Sequence, residues 1–221
     1  MVSEHRAPAS VSWGLRRVGQ GVVLAAALAA GAAGVGLVLG GALAFAAVTL
    51  LTQASLLGAA LWRGPGVRAA GALVGPERLG TGRLVGWGVF GLLSSLGAGA
   101  TYALVAGYLW EGLVPPPLPE QLEFAAPAGL VFVLVVLTAP LVEELFFRGF
   151  VCAGLAGRWG WPQAGLASAA LFAASHGSVG VAGPAFCAGL VFAWLTRRTG
   201  SVWPAILAHT LQNALAFGLT V

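Results

Sequence analysis

The chain has 221 residues, of which 58% are hydrophobic and 8% charged, whereas soluble domains carry about 25% charged residues, so a water-wetted globular surface is excluded. The net charge of +4 comes from eleven Arg and no Lys, and all seven acids are Glu. The absence of Asp removes every mechanism built on that residue, aspartyl intramembrane proteases and the Ser-His-Asp triad among them.

A membrane-crossing helix needs about 20 mostly apolar residues. The first apolar run, about Val18 to Trp62, is twice that long and reads as two helices turning near Gly40 and Gly41. The alternative, a cleaved signal peptide after Arg16 and Arg17, has an apolar core of only about 7–15 residues, so the hairpin is favoured. A polar stretch with Gly and Pro breakers follows from Arg63 to Arg83, then a third helix from about Leu84 to Trp110. Between Glu111 and Pro127 lie five prolines together with Glu111, Glu120 and Glu123. Proline removes backbone donors and cannot continue a helix at such density, so this stretch is a loop. A fourth helix starts near Ala128 and extends to about Ala156. A fifth covers Pro162 to His176, a sixth Pro184 to Thr196 and a seventh Val202 to Leu219. The pattern predicts an all-α fold: a polytopic membrane helix bundle of about seven transmembrane helices, with six to eight as the range.

These spans meet a rule that was not used to choose them. With the N-terminus in the cytoplasm, Arg6, Arg16, Arg17, Arg63, Arg68, Arg78, Arg83, Arg158, Arg197 and Arg198 all fall on the cytoplasmic side, as the positive-inside rule requires. The opposite loops hold three glutamates and no arginine. The chain then divides into a cytoplasmic N-terminal tail (1–17), N-terminal transmembrane helices and loops (18–126) and a C-terminal helix bundle (127–221), placed in the cell membrane. Cys152 and Cys187 sit in apolar segments without a C-x-x-C motif and read as small buried hydrophobes.

The fourth helix carries three ionisable residues that an apolar span does not need: Glu143, Glu144 and Arg148. At about 1.5 Å per residue the glutamates lie roughly 20 Å from the cytoplasmic end of that helix. A charge at such depth costs at least about 2.5–3.5 kcal/mol, so these groups must face the protein interior and be paired. Glu144 and Arg148 are four apart, on one face, with the acid N-terminal. Glu143 points about 100° away around the helix and is free for other work. His176 follows Phe172 by four residues near the outer end of the fifth helix, and Asn213 follows His209 by four in the seventh. Each residue alone has a plain reading as interhelical glue; the set of two acids, two imidazoles, an amide and an arginine is what suggests chemistry. No H-E-x-x-H or G-x-S-x-G occurs. A carboxylate in an apolar pocket is the stronger base, so a glutamate assisted by histidine suits water activation, with an imidazole and an amide left to stabilise an oxyanion.

Glu143-Glu144-x-x-x-Arg148, Phe172-x-x-x-His176 and His209-x-x-x-Asn213, in that order, resemble the CPBP (Abi) family of intramembrane peptidases. That family includes CAAX-prenyl endopeptidases and bacteriocin-processing or immunity proteins. The resemblance covers about Pro127 to Val221. It implies that Glu143 activates water with His176 helping to position it, and that His209 and Asn213 stabilise the oxyanion. Glu144 with Arg148 would hold the helix and the charge balance. The implied substrate is a peptide or lipidated protein in the membrane lipid bilayer, with no nucleic acid. No cofactor is required, although Glu143, His176 and His209 could hold a divalent metal such as zinc, as in a metalloprotease; the spacing leaves both open. Two other classes compete: a non-catalytic membrane protein of the same fold, acting in self-immunity or as a scaffold, and a small proton-coupled transporter. The chain has no internal repeat of the kind many transporters carry.

Overall fold

The computed structural model describes residues 14–63, 79–114 and 126–219. Among them every regular element is helical. Helices α1 (Gly14–Val38) and α2 (Gly41–Arg63) form the expected hairpin, and Gly41 takes a positive φ of 52° at the turn. Helix α1 starts four residues before Val18, so Arg16 and Arg17 lie on its first turns. Helix α3 (Thr81–Leu109) is followed by a short 3-10 turn, Glu111–Leu113, which Tyr102 ties down by donating its hydroxyl proton to Leu113 O at 3.1 Å. The expected polar stretch at 64–78 and most of the proline-rich loop, 115–125, lie outside the described residues.

A helical run from Ala128 to Ala174 follows, but it is two arms rather than one rod. Gly160 breaks it with φ 76° and ψ 163°, two residues before Pro162. We name the arms α4 (128–159) and α5 (161–174). Ser168 Oγ donates to Phe147 O at 2.7 Å across 21 residues, which a straight helix would separate by about 31 Å. The chain therefore doubles back at Gly160, where a side chain would be strained in the left-handed region.

Helix α6 (Val179–Thr199) begins five residues earlier than the sequence suggests. Proline tends to open helices, yet Pro184 sits inside this one. Helix α7 (Trp203–Gly218) has 16 residues and opens with Pro204 in its first turn, the position where a missing N–H does no harm. The described residues thus contain seven helical arms. Five helical runs are long and apolar enough to cross a membrane: α1, α2, α3, the run 128–174 and α6. With this bundle of apolar helices the protein is a multi-pass membrane protein.

Packing fixes which ends lie together. Arg198, near the end of α6, stands 5.8 Å above the ring of Trp87, near the start of α3. Gln53 of α2 reaches Leu134 of α4. The start of α3 and the end of α6 therefore lie together, and Gly21 near the start of α1 faces Arg63 at the end of α2 and Phe150 in the second half of α4. Arg16, Arg17, Arg63, Arg83, Arg158, Arg197 and Arg198 lie near the ends of these helices.

Two segments of α4 widen into π-helical turns, Phe132–Thr138 and Leu145–Cys152, flanking an α-helical stretch, Ala139–Glu144. Such turns are uncommon and cluster at functional sites. Here they bracket the two glutamates.

Candidate active site

Glu144 and Arg148 are fully buried, with no exposed surface on either side chain. Arg148 Nη1 donates to Glu144 Oε1 at 2.8 Å, the i, i+4 pair expected from the sequence. Nη2 donates to Gly189 O on α6 at 3.2 Å, and the guanidinium carbon lies 4.5 Å from the Phe172 ring centre and 5.3 Å from that of Phe192. Gly189 is needed for this approach. A Cβ there would stand 3.0 Å from the Ala169 Cα and 3.3 Å from Arg148 Nη2. The arginine thus pins α4 to α6 through a carbonyl that only a glycine leaves accessible.

His209 of α7 completes the buried group. Its Nδ1 lies 3.0 Å from the same Glu144 Oε1. An ionised carboxylate only accepts hydrogen bonds, so His209 carries a proton on Nδ1 and turns Nε2 the other way. Phe192 stacks on the imidazole at 5.3 Å and Phe172 meets it edge-on at 5.6 Å. A carboxylate behind a histidine, fixing tautomer and ring orientation, is a recurring second layer of functional sites. The arrangement has one purpose legible in its geometry: it aims His209 Nε2 outward.

Nε2 faces Glu143, whose Oε2 is 3.9 Å away. That is too long for a direct hydrogen bond and suits a bridging oxygen between them. Glu143 is half-buried, at 24% side-chain exposure, and lines a cavity of about 690 Å³ that His176, His209 and Asn213 also line. Apolar walls from α2, α4, α6 and α7 surround these four polar side chains. His176 follows the last turn of α5, and its Nδ1 donates to Phe172 O at 2.8 Å, leaving Nε2 for the cavity. Of the six residues singled out by sequence, four converge on the cavity and two, Glu144 and Arg148, form the buried support behind it.

Asn213 also makes the interhelical hydrogen bond that is its plain reading in the sequence. Its Nδ2 donates to Val135 O at 2.9 Å. In π geometry the carbonyl of residue 135 would receive the N–H of residue 140, but that residue is Pro140 and has no N–H. The side chain of Asn213 supplies the missing donor. On the preceding residue, Gln53 Nε2 donates to Leu134 O at 2.9 Å, so amides from α2 and α7 grip successive carbonyls of the π-turn. Gln53 was legible as a polar residue inside an apolar run. The π-turns had no sequence signal.

The three residues considered as metal ligands, Glu143, His176 and His209, are not gathered into a ligand set. Among the described residues no three His, Cys, Asp or Glu side chains are placed to hold one ion. The metalloprotease alternative therefore has no assembled site among the described residues.

Residues 125–215 match the family model described as type II CAAX prenyl endopeptidase, Rce1-like. The match covers less than half of the chain, the same stretch that carries the three motifs, and agrees with the CPBP resemblance. It points to CAAX-type intramembrane endopeptidase activity in general terms. Neither curated proteins nor solved structures gave a match.

Proposed function

We propose that this chain is an intramembrane endopeptidase that hydrolyses a peptide bond in a membrane-associated or lipidated protein or peptide, with Glu143 activating the water. The observation that carries the reading is the facing pair Glu143 and His209 Nε2, 3.9 Å apart on an apolar-walled cavity. The chemistry follows from the donors available. Glu143, assisted by His176, takes a proton from water as its oxygen adds to the scissile carbonyl carbon. Both ring nitrogens of an imidazolium can donate, and His209 lies between Glu144 and the cavity. In that form its Nε2–H donates to the oxyanion while Nδ1–H stays on Glu144. Asn213 adds its second amide N–H. The C–N bond then breaks and Glu143 returns the proton to the leaving nitrogen.

Location is part of the same reading. The protein would sit in the cell membrane with the arginine-rich helix ends, and so the N-terminus, in the cytoplasm. The test is cleavage of a quenched peptide library by detergent-purified protein, wild type and Glu143→Gln, each with and without a strong chelator. Cleavage lost in the variant and retained under chelation is expected. Cleavage retained in Glu143→Gln would refute the role given to this residue.

A further inference from the structure

Gln212 precedes Asn213 and follows His209 by three residues, so all three line the cavity from α7. Its amide is held from behind. Ser95 of α3, 2% exposed, donates its hydroxyl proton to Gln212 Oε1 at 2.7 Å, a shorter contact than its 3.0 Å approach to Leu92 O. The oxygen end of the amide is thereby turned towards α3. Gln212 lines the cavity, and its only side-chain hydrogen bond among the described residues runs through Oε1, which leaves Nε2 and its two N–H donors for a ligand. Asn213 is oriented the opposite way. Its nitrogen is drawn to Val135 O, which can only accept, and its Oδ1 is left as an acceptor. Successive residues of α7 thus offer an N–H donor and a carbonyl acceptor, the complement of the C=O and N–H of a peptide main chain.

We propose that Gln212 is a substrate-contacting residue, donating from Nε2 to a main-chain carbonyl of the bound peptide, with Ser95 as the positioning residue that aims it. The proposal rests on the peptidase reading only in taking a peptide as the occupant of the cavity. It explains why a membrane helix keeps a second carboxamide beside Asn213 and why a buried serine of another helix is spent on it.

The test separates binding from cleavage. A photo-crosslinking amino acid at Val181, which lines the cavity, captures a pool of biotinylated, N-acylated random hexapeptides by the full-length protein in detergent. Capture is expected to fall about tenfold, the scale of one hydrogen bond to a group otherwise left unpaired, in both Gln212→Leu and Gln212→Glu. Gln212→Glu is the decisive variant, because it keeps the oxygen that Ser95 binds and removes the N–H donors. Ser95→Ala is expected to give a smaller loss. A residue that merely ties α3 to α7 would show the reverse: Ser95→Ala and Gln212→Leu equally impaired and Gln212→Glu near normal. That pattern, unchanged capture in all three, or no capture by the wild type would overturn the proposal. Capture that depends on Gln212 without any cleavage of the library by wild type would sink the peptidase reading alone.

Discussion

His209 donates its Nδ1 proton to Glu144, a carboxylate with no exposed surface that is already paired with Arg148. This relationship turns a buried ion pair into a device for orienting an imidazole. A wholly buried pair is a weak source of stability, because desolvation offsets much of the attraction. Its retention is better understood from what it holds: α4 through Glu144, α6 through Gly189 and α7 through His209. Removing one member should therefore affect folding and chemistry together, and the two can be separated by choice of variant.

Glu144→Gln keeps the shape of the side chain but removes the charge that faces Arg148. Breaking a buried pair from one side costs about 3–5 kcal/mol, so thermal unfolding in detergent should move to clearly lower temperature. Loss of the carboxylate behind a functional histidine lowers activity about 10–100-fold, and cleavage of the library should fall by that much in the protein that remains folded. An unchanged melting temperature would mean that Glu144 is not ionised in the buried pair.

Asn213 and Pro140 should be coupled. Asn213→Ala leaves Val135 O without its donor, a cost of about 1–3 kcal/mol for an unpaired buried group. Pro140→Ala restores a backbone N–H at the position that lacks one. The double variant should then be more stable than Asn213→Ala alone, with a positive coupling in the cycle, while cleavage stays impaired because the amide is still missing from the cavity. Additive stabilities would show that the π-turn and the asparagine are independent.

Gly189→Ala tests the close approach of α5 and α6. The added Cβ would meet the Ala169 Cα at 3.0 Å and Arg148 Nη2 at 3.3 Å. Neither the backbone nor a fully buried guanidinium yields cheaply, and overpacking of this kind costs about 1–3 kcal/mol. Thermal unfolding should record the loss, and Gly97→Ala, where a Cβ meets nothing within 4 Å, should not.

Much of this was readable from the chain. Hydropathy located the helices because a membrane span has to satisfy its backbone internally, and the motifs located the site because few charged or imidazole groups survive in such spans. What the sequence left out has physical causes. The early start of α6 depends on how prolines are accommodated: Pro162 follows the reversal that the sequence already placed between the fourth and fifth helices, whereas Pro184 sits inside a helix. The division of labour between the glutamates was half legible. Spacing placed Arg148 beside Glu144, but only the packing of α7 brings His209 to that same oxygen and leaves Glu143 facing the cavity. The roles of Gln212 and Ser95 depend on contacts across 117 residues, which no local pattern records.

The most direct test of the central claim is Glu143→Gln, made in the full-length protein and followed by both library cleavage and thermal unfolding. Glu143 is half-buried and forms no close ion pair, so unfolding should stay at the wild-type temperature while cleavage falls by about 10²-fold or more, the scale of lost general-base catalysis. Cleavage at the wild-type rate by this folded variant would contradict the claim that Glu143 activates the water.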